Sequence, residues 1–123
     1  MKMGSRLASF IVCAGLAFFG MTSTARAASV WLEATIAFVY PQADGSLTLA
    51  FNEDSPTCLN PASPKYYNVA VGQNGMTADG VRNILSAALW ALTAGNPVHV
   101  NFDDSTTKCY VNRLIIGGYH PGS

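Results

Sequence analysis

The chain has 123 residues, and its seven basic and seven acidic side chains give a formal net charge of zero. Three of the bases lie before residue 28, so residues 28–123 have four bases against seven acids, a net charge of −3. This acidic balance argues against nucleic acid or an anionic membrane as the main partner. Those residues, about 96 in number, suffice for one domain with a modest core.

The N-terminal segment is typical of a secretory signal peptide. A basic start, Lys2 and Arg6, precedes an apolar stretch at residues 7–21. This stretch is too short to span a membrane comfortably, and an A-x-A cleavage site ends at Ala27. We therefore predict that residues 1–27 are a cleaved signal peptide, that the mature protein is secreted or periplasmic, and that no membrane span remains. A retained anchor helix is the alternative.

The first half of the mature chain has the features of a β-hairpin. Residues 30–40 are rich in β-branched and aromatic side chains, which favours a strand. Asp44 and Gly45 indicate a turn before a second strand at residues 47–51. The predicted core face of the first strand consists of Leu32, Ala34, Ile36, Phe38 and Tyr40. The next segments are a proline-containing loop at residues 52–65, a third strand at 66–71 and a turn at 72–75.

One helix is predicted at residues 77–94. Thr77 is a suitable N-cap, and Gly95 followed by Pro97 ends the helix. Apolar residues recur at the spacing of one buried helical face. This predicted core stripe consists of Val81, Ile84, Leu85, Ala88, Leu89 and Leu92.

Trp90 does not belong to that stripe. At about 100° per residue it lies opposite Val81, with Arg82, Asn83 and Ser86 near it. A large aromatic side chain among small and polar ones predicts a contact outside the domain's own core, so these four residues are a candidate interface. The alternative is that the C-terminal tail or a loop covers Trp90.

Two strands, at residues 98–103 and 109–116, follow the helix. The second is apolar on both faces near its end, which predicts a central strand, and residues 118–123 are predicted to form a tail. The chain is thus predicted to be mainly β with one helix, in the order β-β-β-α-β-β, as one domain at residues 28–117. This is the element order of the OB-fold, a five-stranded antiparallel barrel.

Cys58 and Cys109 are the two cysteines that remain after loss of the signal peptide, which contains Cys13. In an exported protein two such cysteines most often pair, so a disulfide is predicted. Free thiols or a metal site are the alternatives, but no histidine spacing typical of zinc accompanies them.

Few residues suggest chemistry. His99 could act as a general base with Asp103 and Asp104 as orienting or cation-binding groups, although aspartates are also common in turns. We therefore predict no catalytic residue, no metal ligand and no cofactor. Glu53 and Asp54 are interpreted as a solvated surface. The aromatic residues that could stack on a sugar ring, or else pack in the core, are Trp31, Tyr66, Tyr67 and Tyr110.

Two runs resemble a known family. AALWALTAGNPVHV at residues 87–100 and CYVNRLII at residues 109–116 are similar to small secreted bacterial proteins that resemble the B subunit of subtilase cytotoxin. The resemblance implies an OB-fold, a pentamer whose helices line a central pore, and a glycan-binding role. In such an assembly Trp90 would lie between subunits or at the pore. None of the family's sugar-binding residues can be matched here.

The leading hypothesis is an exported, non-enzymatic binding module that forms a homo-oligomer and binds a glycan or protein receptor. One alternative is a secreted or periplasmic hydrolase inhibitor that uses the loop around Cys58. Another is a small hydrolase that uses His99 and Asp103.

Overall fold

The computed structural model describes residues 29–117. The predicted signal peptide and C-terminal tail lie outside these residues. The elements are β1 (Ser29–Pro41), β2 (Leu47–Phe51), β3 (Tyr67–Val69), α1 (Ala78–Ala94), β4 (Pro97–Asp103) and β5 (Val111–Ile116). Their order confirms the prediction of a mainly β chain with one helix between the third and fourth strands.

The five strands form one antiparallel sheet in the order β3-β2-β1-β4-β5. The predicted closure into a barrel is wrong, because the sheet stays open between β3 and β5. β3 (Tyr67–Val69) pairs with β2 over its three residues and forms no ladder with β5. A backbone hydrogen bond from Asn68 N to Lys108 O, 3.3 Å long, crosses this gap.

A bulge divides the long strand β1 into two halves. The first half pairs with β4 and the second with β2, and the register shifts between Ile36 and Phe38. An extra residue reverses the alternation of side chains. Val39 therefore packs against the core, while Phe38 is half-buried and Tyr40 is 59% exposed. The prediction that Phe38 and Tyr40 belong to the core is wrong for this reason.

The last strand is also placed differently from the prediction. β1 is central, whereas β5 is an edge strand. Leu114 pairs with Val100 and packs against the core, and Ile115 lies opposite His99 on the other face. Each face of β5 lies beside buried residues of β4, which accounts for its apolar side chains on both faces. One neighbouring strand is therefore enough to explain the pattern, and β5 need not be central.

The ends of α1 agree with the sequence. The Thr77 hydroxyl accepts a hydrogen bond from Gly80 N at 3.0 Å, which satisfies one of the free amides of the first turn. Gly95 adopts the left-handed conformation with φ of 68° and closes the helix.

The buried stripe of α1 is rotated from the predicted one. Leu89 and Leu92 were predicted to be buried, but Leu89 is 47% exposed and Leu92 lies at the exposed helix end. The buried residues are Val81, Ile84, Ala88 and Ala91. Small alanine side chains let the helix approach the sheet closely, so the side centred on them faces the sheet.

A single core lies between the helix and the sheet. Three fully buried aromatic rings form its centre: Tyr67 meets Phe51 edge-on at 5.0 Å and Phe102 edge-on at 5.1 Å between ring centroids. The predicted disulfide between Cys58 and Cys109 is confirmed, and both cysteines are buried. It connects the loop before β3 to the segment before β5, across the open side of the sheet.

Within residues 29–117, no helix has both the length and the apolar character needed to cross a membrane.

Candidate functional site

One surface of the sheet combines exposed aromatic rings with hydrogen-bonded polar side chains. It lies on the second half of β1, on β2 and at β3, opposite the core. The register pairs Tyr40 with Thr48 and Thr48 with Asn68, so their side chains share this face. We call this surface the tyrosine face, and it consists of Phe38, Tyr40, Gln42, Thr48, Ala50, Tyr66 and Asn68.

A directed row of hydrogen bonds runs across the tyrosine face. Gln42 Nε2 donates to Thr48 Oγ1 at 2.9 Å, and Thr48 Oγ1 donates to Asn68 Oδ1 at 3.1 Å. Asn68 Nδ2 then donates to Lys108 O at 2.7 Å. Since each donor is matched to an acceptor, the row fixes the orientation of both amide groups.

Two tyrosines border this row. Tyr40 is 59% exposed and Tyr66 is 43% exposed. The Tyr66 ring meets Phe38 at 6.1 Å between centroids and at an angle of 72°. Phe38 thereby supports Tyr66 from one side, while much of both tyrosine side chains stays open to solvent.

The turn between β1 and β2 holds Gln42 in place. Gln42 N donates to Ser46 O at 2.9 Å, and Gly45, with φ of 85°, donates to Gln42 O at 3.2 Å. In the same turn Ser46 donates from its hydroxyl and its backbone N to the Asp44 carboxylate. These hydrogen bonds stabilise the ionised form and lower the pKa of Asp44. The turn therefore presents a negative charge beside Gln42.

The structure does not bring the suggested catalytic residues together. His99 Nε2 lies 3.2 Å from Glu33 Oε2, across the β1–β4 pairing. Asp103 is four residues further along β4, about 13 Å away in an extended strand. Its carboxylate accepts a hydrogen bond from Ser105 N at 2.8 Å, as is usual in a turn.

Glu33 is the partner of His99 that the sequence did not reveal. The two residues are far apart along the chain, and only the register of β1 against β4 makes them neighbours. His99 is buried at 6% exposure, so its contact with Glu33 also fits a structural role between β1 and β4. Among the described residues, no three His, Cys, Asp or Glu side chains gather in a way that could hold a metal ion.

The predicted stacking aromatics have different surroundings. Tyr67 is fully buried, and its hydroxyl accepts a hydrogen bond from Ser55 N at 2.9 Å, so it cannot stack on a ligand. Trp31 and Tyr110 are half-buried, and Tyr66 is the exposed member of the set. Tyr40 was missed because it was assigned to the core face, and knowledge of the bulge in β1 would have placed it outside.

The burial of Tyr67 predicts a loss of stability at high pH. Burial raises the pKa of its hydroxyl above the ordinary value of about 10. The unfolded chain therefore loses this proton at lower pH than the folded one. The contribution of this proton to the free energy of unfolding is complete below about pH 10. It is lost as the pH rises through the pKa of Tyr67 in the folded chain. Urea unfolding between about pH 8 and 11 should show this fall, and Tyr67→Phe should make it smaller; an equal fall in both proteins would contradict the assignment.

The candidate interface lies on the outer side of α1. Trp90 is 54% exposed, and Asn83 and Ser86 are exposed as well. Arg82 forms an ion pair with Asp79 one turn earlier. Leu89 adds a second exposed apolar side chain next to Trp90. Within residues 29–117, no segment covers Trp90, so the alternative of a covering loop does not apply to this part of the chain.

The proline-containing loop is pinned at several points. Asp54 Oδ1 accepts from Lys65 N at 3.1 Å, and Lys65 Nζ donates to Cys58 O at 2.8 Å. Glu53 Oε2 accepts from Thr35 N at 3.4 Å. Asp54 therefore has a role in holding the loop in addition to lying at an exposed surface.

Comparisons with protein families, with curated proteins and with solved structures give no significant match to this chain. The resemblance to the toxin B-subunit group therefore stays a prediction.

Proposed function

We propose that this protein is an exported, non-enzymatic binding module of a partly open OB type that binds a glycan or a protein receptor. The observation that supports the proposal most is the tyrosine face, where Tyr40 and Tyr66 are exposed beside oriented amide groups. Exposed tyrosines with a polar tip and an apolar ring are common at recognition surfaces. The element order and the hydrogen bond across the gap between β3 and β5 are compatible with an OB-type module.

A binding screen tests this proposal. The purified chain is applied to an array of glycans and, in parallel, to extracellular receptor domains. We expect the array to retain the chain through at least one glycan or receptor domain. We expect the double variant Tyr40→Ala and Tyr66→Ala to lose this retention. Turnover of a hydrolase substrate that disappears in His99→Ala would instead favour the small hydrolase.

We propose in addition that the module forms a homo-oligomer through the outer side of α1. Trp90 is an exposed aromatic side chain of the kind that dominates the binding energy of interfaces. The small and polar residues near it leave room for a second chain to approach the helix. The resemblance to pentameric B subunits suggested the same side of the helix.

Trp90→Ala should therefore weaken self-association. Loss of a central interface aromatic costs about 2 kcal/mol, which corresponds to a roughly 30-fold rise in the dissociation constant. Solution mass measured over a range of protein concentrations checks this. Val71→Ala is the matched control, because Val71 is also 54% exposed but lies outside the helix. A monomer at every concentration, or equal masses for all three proteins, would contradict the oligomer.

One observation favours the inhibitor as a second candidate. Leu59 is 58% exposed beside the buried Cys58, in a loop held by the disulfide and by Lys65. Such a preorganised loop loses little conformational entropy on binding. An inhibitor would form a one-to-one complex with a hydrolase, and Leu59→Ala would weaken that complex while leaving glycan retention unaffected.

A further inference from the structure

We propose that the tyrosine face is a binding site for the ring of an uncharged sugar. Tyr40 and Tyr66 would contact the apolar faces of the ring, and the amides of Gln42 and Asn68 would bind its hydroxyl groups. This inference rests on the proposed function, since it names the ligand class and the site of the binding module.

The spacing of the strands supports the site. Tyr40, Thr48 and Asn68 lie opposite one another on three adjacent strands. Neighbouring strands are about 4.8 Å apart, so the surface from Tyr40 to Asn68 is about 10 Å wide. Tyr66 lies two residues before Asn68, and its ring packs edge-on against the ring of Phe38. Thr48 is 3% exposed and Ala50 is 0% exposed, so the face's own side chains fill its centre, and a hexose ring would lie over them against the exposed parts of Tyr40 and Tyr66.

The hydrogen-bond row explains how the amides are prepared for a ligand. The Thr48 hydroxyl is buried, and it accepts from Gln42 and donates to Asn68. Because Gln42 uses one N–H for Thr48, its Oε1 and second N–H are directed away from that bond. A carbonyl oxygen next to an N–H is a pair that can bind neighbouring sugar hydroxyls. Thr48 is therefore a positioning residue, and it does not itself contact the ligand.

The charge of the site favours an uncharged ligand. All side chains of the tyrosine face are neutral. Asp44 lies in the turn at one end, and Lys108 lies at the other, where its carbonyl accepts from Asn68. A carboxylate-bearing sugar is bound best by arginine or by several cations. Asp44 and Lys108 at opposite ends offer such a sugar no net attraction, and the ammonium group of Lys65, which precedes Tyr66, already donates to Cys58 O and Asn60 O.

The test is a titration of the isotope-labelled full chain, followed by NMR, with four probes. These are methyl β-galactoside, methyl β-glucoside, N-acetylglucosamine and N-acetylneuraminic acid. At least one uncharged probe should shift the signals of Tyr40, Tyr66 and Asn68, and Tyr40→Ala should weaken its affinity at least ten-fold. Thr48→Val should weaken it several-fold, and Thr48→Ser, which keeps the hydroxyl, should restore it. Ile116→Ala, an exposed position at the end of the edge strand β5 and outside both the tyrosine face and the helix, should leave the affinity unchanged.

The outcomes separate this inference from the proposed function. Shifts confined to another surface, a preference for N-acetylneuraminic acid, or full affinity in Tyr40→Ala would overturn the site. Glycan retention on the array that persists in the double variant would then still support a binding module, one that uses another surface. An array and a titration that both show no binding would overturn the sugar site and the glycan-binding form of the proposed function together.

Discussion

Replacing both Cys58 and Cys109 by alanine is expected to lower the free energy of unfolding by about 4 kcal/mol. The disulfide closes a loop with a sequence separation of 51 residues. In the chain-entropy model the stabilisation comes from restricting the unfolded state, and it grows with the length of this loop. Small domains are stable by only about 5–15 kcal/mol, so the loss is a large part of the total.

The disulfide also holds together the open side of the sheet in the folded chain. It joins two irregular segments at the side where β3 and β5 form no ladder. Other hydrogen bonds across that side lie outside any strand ladder: Asn60 Nδ2 donates to Thr107 O at 3.0 Å, and Lys108 O accepts from both Asn68 N and Asn68 Nδ2. Without the covalent link, these isolated bonds have to hold the loop and the edge together.

Urea unfolding of the double alanine variant measures the effect, and Tm should fall by roughly 20 °C for a domain of this size. The wild-type chain treated with a reducing agent is the control, and it should match the double variant. A loss below about 1 kcal/mol in both would contradict the expected role of the disulfide.

Tyr67→Ala is expected to cost about 3–5 kcal/mol, the range for removing a large buried ring. Tyr67 is fully buried between the edges of Phe51 and Phe102. These rings come from β2 and β4, on either side of β1, so the variant opens a cavity where both halves of the sheet meet. The hydroxyl also fixes the start of the proline-containing loop through Ser55 N.

Tyr67→Phe separates the two contributions. It keeps the ring and leaves the buried Ser55 N–H without its acceptor, which should cost about 1–3 kcal/mol. Urea unfolding of both variants gives the comparison. If Tyr67→Phe cost as much as Tyr67→Ala, the hydrogen bond and not the aromatic packing would be the main term; if neither cost 1 kcal/mol, Tyr67 would not be a core residue in solution.

Local signals predicted the elements well. Thr77 and Gly95 mark the ends of α1 because capping depends on a few neighbouring residues. The second strand was predicted at the residues of β2, and the turn before it follows from Asp44 and Gly45. The pairing of Cys58 with Cys109 followed from counting the cysteines that remain after the predicted signal peptide.

The candidate site was not predictable in the same way. The bulge after Ile36 changes which side of the sheet every later residue of β1 faces, and nothing local to the sequence indicates it. Tyr40 was therefore assigned to the core. The contact between His99 and Glu33 depends on the pairing of strands that are distant along the chain.

The sequence alone determined which segments are helical, extended or turning, since these depend on interactions within a few residues. Three-dimensional packing determined which sides face outward. The close approach of Ala88 and Ala91 to the sheet left Leu89 exposed. The sheet stays open between β3 and β5, and the register of β1, β2 and β3 assembled Tyr40, Thr48 and Asn68 into one surface. These features arise from contacts between distant parts of the chain, where a shift of one residue turns a side chain from the core to solvent.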